Sequence, residues 1–150
     1  MSVDVCVRVR REVSVADLKA AAASTMEALF RDEVMAWGVA EPEGSALAAN
    51  KFCLSVSACA GEAEVQLLTF WAGPIDDPDD EGGWWLDVGV VRRNPPSKRL
   101  MFLVAASVAR LLEEVVYDDS GLLGEGRLVE PSRVLEVIGA ASSLGAVEPE

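Results

Sequence analysis

The spacing of apolar residues along this chain changes repeatedly between two periods, and these changes limit the fold more than any other feature. Residues 2–10 carry an apolar side chain at every second position, which is the pattern of a strand with one buried face. After Ser14 the apolar residues recur at every third or fourth position up to about residue 31. Ser14 and Asp17 have the spacing of a helix cap. The chain is therefore predicted to begin with a strand and then a helix over residues 15–31.

Three further stretches with the strand period follow. They cover residues 51–60, 64–72 and 84–91, and Gly61-Glu62 provides a turn between the first two. Consecutive strands with such connections predict an antiparallel meander. Residues 34–39 are apolar but short, and the sequence is compatible with either a strand or a helical turn there.

The second half of the chain is predicted to be mainly helical. Asn94-Pro95-Pro96-Ser97 ends the strands, because proline cannot donate to a ladder, and it opens a helix that runs to about Glu114. An apolar stripe predicts that this helix lies across the sheet; it consists of Leu100, Val104, Val108, Leu111 and Val115. Residues 115–117 are a candidate edge strand, and Pro131 opens a last helix.

Strands that are grouped together, with helices outside the group, are typical of an α+β fold. We expect an antiparallel sheet of four to five strands with two or three helices packed mainly on one face. A chain of 150 residues, of which 51% are apolar, has the size and composition of one domain, so residues 1–150 are predicted to form a single α+β domain.

The charge of the chain limits its partners. It has 25 acidic and 13 basic residues and a formal net charge of −12, so its field repels nucleic acids and anionic lipids and attracts basic proteins. The longest apolar stretch, residues 100–109, is too short to cross a bilayer. The first residues lack the basic and apolar regions of a secretory signal, so a cytoplasmic location is expected.

The residue types also argue against most enzymatic chemistry. The chain has no histidine, which excludes Ser-His-Asp and Cys-His arrangements. Cys6, Cys53 and Cys59 lack CxxC spacing and are predicted to be reduced. A calcium loop counted from Asp77 fails at Val88, where a bidentate glutamate belongs. We therefore predict a non-enzymatic protein with no cofactor and no metal site.

The candidate binding surface is an acidic loop that ends in paired tryptophans, together with a second acidic turn. The predicted partner-binding residues are Asp76, Asp77, Asp79, Asp80, Glu81, Trp84, Trp85, Asp118 and Asp119. Trp71 and either Trp84 or Trp85 are expected to face each other across the hairpin, with the neighbouring ring on the opposite side. For Asp118 and Asp119, the simpler interpretation is a turn in which they cap backbone amides.

The segment from Trp84 to Pro95, the helix after it, and Val116-Tyr117-Asp118-Asp119-Ser120-Gly121 together resemble the C-terminal half of small acidic bacterial immunity proteins. The resemblance covers residues 84–121. It implies a non-enzymatic inhibitor whose acidic face occupies a basic groove of a cognate toxin. It assigns no role to individual residues, because immunity surfaces vary with their toxins.

Two other functions are compatible with the sequence. The length and acidity are similar to those of acidic secretion-system chaperones, which dimerise, although those chaperones usually begin with a helix. The third possibility is a metal-assisted hydrolase that depends on the carboxylates of Asp76, Asp77, Asp79 and Asp118. The sequence leaves open whether the protein is a monomer or a homodimer.

Overall fold

The chain forms an α+β fold in which three helices accompany an antiparallel sheet. The computed structural model describes residues 3–38, 53–72 and 82–146. Its helices are α1 (Val15–Leu29), α2 (Pro95–Leu112) and α3 (Pro131–Ile138). Its strands are β1 (Asp4–Val9), β2 (Ala36–Gly38), β3 (Cys53–Ala58), β4 (Ala63–Ala72), β5 (Gly83–Val90), β6 (Val116–Tyr117) and β7 (Leu128–Val129). The predicted fold class is confirmed, and the described part of the chain contains seven strands where four to five were expected.

The sheet has the order β2-β3-β4-β5-β1-β6-β7, and every neighbouring pair is antiparallel. The predicted meander corresponds to β3, β4 and β5. The first strand, β1, lies beside β5 in the middle of the sheet, a position that its own alternation does not specify. In the described sheet the outer strands β2 and β7 have only three and two residues.

One face of the sheet forms the core together with the helices. The register aligns Val5 with Val88 and Val7 with Leu86, and all four side chains are at most 1% exposed. Helix α2 lies across this face, where it contacts β1, β4 and β5, and it also contacts α1 and α3. The prediction that this helix crosses the sheet is confirmed.

Helix α2 is buried on nearly all sides, although its sequence predicted a single apolar stripe. Every side chain from Met101 to Ala109 is buried, whereas Leu111 is only half-buried. The reason is that α1 and α3 cover the sides of α2 that do not face the sheet. A helix with apolar or small residues all round requires such enclosure.

Side-chain caps define the beginnings of the first two helices. The Ser14 hydroxyl accepts a hydrogen bond from the Asp17 amide, and the Asp17 carboxylate accepts one from the Ser14 amide, which completes the predicted capping box. The Asn94 side chain accepts a bond of 2.9 Å from the Ser97 amide, and Pro95 occupies the first helical position.

The two additional strands explain the difference in strand count. Residues 36–38 form a strand, β2, which settles the ambiguity of the segment 34–39. The candidate edge strand at residues 115–117 corresponds to β6, which pairs with β7 and therefore does not lie at the edge of the described sheet. Two residues are too few to show a period of two, so β7 has no signal in the sequence.

None of the helices in the described ranges combines the length and the apolar composition that are needed to cross a membrane. The three cysteines are all unpaired, as predicted.

Candidate functional site

The acidic segment predicted as the binding surface connects two adjacent strands. Its five acidic residues, Asp76, Asp77, Asp79, Asp80 and Glu81, lie outside the described residues. The strands on either side are described, and Ala72 at the end of β4 pairs with Gly83 at the start of β5. Paired residues on antiparallel strands are about 5 Å apart, so both ends of the acidic segment are held at one end of the sheet.

Two tryptophans lie next to this position. Trp71 on β4 and Trp84 on β5 are register partners, and their rings meet edge to face with centroids 6.0 Å apart and an interplanar angle of 80°. Trp84 is half-buried and packs against the core, whereas Trp71 is 55% exposed. The structure therefore places an exposed aromatic ring beside the attachment point of the acidic segment.

Trp71 was absent from the predicted binding residues, although the sequence placed it opposite one of the two later tryptophans. The hairpin register identifies Trp84 as its partner. The sequence signal was the alternation of the two strands, which leaves Trp84 and Trp85 as alternatives, and only the register that aligns Ala72 with Gly83 brings Trp71 and Trp84 to the same face.

Trp85 lies on the opposite face of the sheet and is only 8% exposed. Its ring meets Tyr117 edge to face at 4.9 Å, and the Arg8 guanidinium lies 4.8 Å from its ring centroid. Its indole N–H has no hydrogen-bond partner among the described residues. A side chain enclosed in this way is not available to a partner, so Trp85 is not part of the exposed aromatic surface.

Asp118 and Asp119 have different environments despite their adjacency. Asp118 is fully buried, and its two carboxylate oxygens accept hydrogen bonds of 2.9 Å from the amides of Leu122 and Leu123. Asp119 is exposed and lies 3.3 Å from Arg127. The Asp118 carboxylate caps the following turn, which is the simpler interpretation of this segment, and only Asp119 is accessible to a partner.

A second acidic group lies on the sheet face opposite the helices, and the sequence did not single it out. Asp4, Cys6 and Asp87 lie on β1 and β5, and their ligand atoms are all within 4.8 Å of one another. The Cys6 thiol donates to Asp87 at 3.3 Å. The signal is strand register alone, because Cys6 and Asp87 are 81 positions apart in the chain but directly opposite each other in the sheet.

The close approach of these groups changes their proton affinities. Burial, followed by the hydrogen bond and the negative charge of Asp4, raises the pKa of Asp87 to about 7. Burial and the neighbouring Asp87 raise the pKa of the Cys6 thiol far above its usual range. A thiol that keeps its proton is a poor nucleophile. Hydrogen bonds from Cys6 and with Asp4 connect Asp87 to the rest of the group.

Charge is unevenly distributed along the chain. The described residues contain 16 acidic and 12 basic side chains, and several of these form ion pairs across the surface. These pairs include Arg10 with Glu114, Arg11 with Glu113, Arg92 with Glu64, and Arg133 with Glu125 and Glu136. In contrast, the connection between β4 and β5 has five acidic residues and no basic one. It is thus the main concentration of unbalanced negative charge in the sequence.

Comparison of the chain with protein-family models, with curated proteins and with solved structures finds no match.

Proposed function

We propose that this chain is a non-enzymatic acidic protein that binds a basic protein partner, and that it acts as an immunity protein by neutralising a cognate bacterial toxin. The observation that carries the proposal is the pairing of Ala72 with Gly83 beside the exposed ring of Trp71. This pairing attaches a connection that contains five acidic residues and no basic residue to one end of the sheet.

The electrostatic argument concerns the rate of association. Six ion pairs balance part of the charge on the described residues, whereas the acidic connection has five acidic residues and no basic residue within its own sequence. Concentrated charge of opposite sign accelerates encounter and orients the two molecules, and this effect weakens as salt is added. An inhibitor that must occupy a toxin's basic groove quickly benefits from such steering.

The test uses the product of the gene directly beside this one, which the proposal expects to be a basic toxin. We expect its toxicity to be relieved when the two proteins are produced together, and we expect the purified proteins to bind in a salt-sensitive manner. The variant carries Asp76→Asn, Asp77→Asn, Asp79→Asn and Asp80→Asn. Its association rate constant at low salt, measured by stopped-flow fluorescence, should fall about tenfold while its thermal unfolding is unchanged.

The matched control also removes four negative charges, but at exposed positions away from the acidic connection. It carries Glu27→Gln, Asp32→Asn, Glu62→Gln and Glu130→Gln. An equal loss of association rate in both variants would show that net charge alone matters, and would remove the acidic connection from the binding surface.

Other outcomes would favour the alternative functions. A homodimer that binds an unfolded segment of a secreted protein would identify a chaperone. Thermal stabilisation by a divalent cation, together with turnover that is lost in the Asp76 and Asp77 variants, would identify a metal-assisted hydrolase and would overturn the proposal.

A further inference from the structure

We propose that a cavity between α2, α3 and the loop after β6 binds a small amphiphilic carboxylate, which is an apolar chain with one negative charge at its end. The Lys98 ammonium pairs with the carboxylate, and the apolar walls of the cavity enclose the chain. This ligand differs from the basic protein partner of the proposed function, and its binding does not depend on that partner.

The cavity has the size and lining of a site for a small organic ligand. It lies where the first half of α2 meets the end of α3, and its volume of about 430 Å³ is within the usual range for such sites. An apolar chain that enters it loses contact with water, and this burial favours binding. The largest apolar side chains in the walls are Phe102, Leu122, Leu123, Val137 and Ile138.

Two walls of the cavity are held in place by hydrogen bonds from neighbouring segments. The Asp118 carboxylate accepts bonds from both amides of residues 122–123, which fixes the loop after β6. The Arg99 guanidinium donates to the carbonyls of Leu144 and Ala146, and Ala146 forms part of another wall. Because these walls are fixed before a ligand arrives, little free energy is lost in ordering them on binding.

The charge of the lining identifies the kind of ligand. Lys98 and Arg99 are both cationic, and none of the described residues that line the cavity is acidic. Lys98 is half-buried, and within residues 3–38, 53–72 and 82–146 its ammonium forms no ion pair or hydrogen bond. One such ammonium beside an apolar surface matches the single charge of a carboxylate, and partial burial strengthens the attraction between them.

The local charge of the cavity is opposite in sign to that of the whole chain. The formal net charge of −12 favours cations at long range, so a preference for an anion must come from the lining of the site itself. The two effects predict opposite rankings for ligands that share an apolar chain but differ in the sign of their charge. Specific binding in the cavity can therefore be separated from nonspecific association.

The experiment compares octanoate with octyltrimethylammonium, which has the same apolar chain and the opposite charge. Calorimetry should show tighter binding of octanoate. Hexanoate should bind about fifteenfold more weakly than octanoate, since each of the two missing methylenes changes the affinity about fourfold. In ¹H–¹⁵N spectra, octanoate should shift the amide signals of Leu122 and Val137. The indole signal of Trp71, near the end of β4 that is remote from α2, should stay in place.

Affinity is then measured for a charge variant and a matched control. Lys98→Gln should weaken octanoate binding about fivefold, which is the effect of one partly exposed ion pair, and should not weaken binding of octyltrimethylammonium. The control is Lys19→Gln, which removes the same charge from another half-buried lysine, on α1 and outside the lining of the cavity. It should keep the wild-type affinity for octanoate.

A second variant, Ala141→Phe, adds a ring to the wall of the cavity and should abolish measurable octanoate binding. Tighter binding of octyltrimethylammonium than of octanoate, or unchanged octanoate affinity in Lys98→Gln, would overturn the proposal. Equal losses in Lys98→Gln and Lys19→Gln would also overturn it, because net charge alone would then explain them. Lys98→Gln removes no hydrogen bond or ion pair of the described fold, so a folding defect in Ala141→Phe does not prevent the test.

Discussion

Adjacent residues of the same type have opposite roles at two places in this fold. Trp84 faces the helices and supports the exposed Trp71, whereas Trp85 is enclosed on the other face by Arg8 and Tyr117. The alternation of side chains along β5 is the cause. Asp118 and Asp119 differ in a similar way, because the first points into the following turn and the second into solvent.

The first prediction at the residue scale concerns Asp118. Replacement by alanine leaves the half-buried amides of Leu122 and Leu123 without their acceptor, so Asp118→Ala should lower the free energy of unfolding by about 2 kcal/mol. Urea denaturation measures this change. Asp119→Ala is the matched control and should leave the unfolding midpoint unchanged, and equal effects of the two substitutions would contradict the capping role.

The second prediction concerns pH. The pKa of Asp87 is about 7 in the folded protein and close to 4 in an unfolded chain, so the folded state binds this proton more tightly. The resulting stabilisation is complete below pH 4 and is lost as the pH rises through 7. The wild-type protein should therefore have a lower free energy of unfolding at pH 8.5 than at pH 5.5.

The variant Asp87→Asn cannot ionise and should remove most of this difference between the two pH values. Urea denaturation of both proteins at each pH provides the measurement. The control Asp32→Asn changes an exposed carboxylate and should keep the wild-type difference. If Asp87→Asn kept the wild-type difference in the free energy of unfolding between the two pH values, other groups would cause the pH dependence.

At the scale of elements, the helices and strands that could be predicted have both a regular spacing of apolar residues and a residue that marks where the element begins or ends. Helix α1 has both the change of apolar spacing and the N-cap at Ser14, with Asp17 completing the capping box, and helix α2 has the N-cap Asn94 followed by Pro95. In contrast, β2 and β7 are too short for a period to be recognised, and their strand conformation depends on pairing with β3 and β6.

The third prediction tests the cap of the central helix. Asn94 accepts from the Ser97 amide and its side-chain amide donates to the Glu62 carbonyl at 2.8 Å, so it ties α2 to the end of the β3–β4 hairpin. Asn94→Ala loses both bonds and should destabilise the protein by about 2 kcal/mol in thermal or urea denaturation.

The comparison variant Asn94→Asp keeps the acceptor for Ser97 but has no donor for the Glu62 carbonyl. It should retain more than half of the stability that the alanine variant loses, because the helix cap remains. Equal destabilisation by aspartate and alanine would show that the bond to Glu62 contributes most of the effect.

At the scale of the whole molecule, the sequence indicated the layers but not the order of strands. The valine alternation of β1 shows which face is buried, yet only long-range pairing with β5 and β6 determines its central position. The same limitation applies to the site. The acidic residues and tryptophans were visible in the sequence, whereas the burial of Asp118 and Trp85 and the meeting of Cys6 with Asp87 depend on contacts between distant segments.

The fourth prediction follows from the arrangement of the core. Side chains of all three helices and of six of the described strands belong to one contiguous cluster of buried apolar residues, with Phe102 and Leu103 of α2 near its middle. Unfolding should therefore be a single transition, with the same midpoint by tryptophan fluorescence and by far-ultraviolet circular dichroism.

Leu103→Ala should move both midpoints together and lower the free energy of unfolding by about 3 kcal/mol, since it leaves a cavity in this cluster. Two separate transitions, or a shift in only one of the two signals, would show that the chain contains more than one cooperative unit.

The shortness of β2 and β7 limits how this protein can associate with others. Two or three residues offer too few free backbone groups at either margin of the described sheet for another polypeptide to add a stable strand. Recognition at these margins would then depend on side-chain identity instead of main-chain hydrogen bonding. Under the proposed function, surface substitutions would therefore change which partner is recognised while the scaffold stays the same.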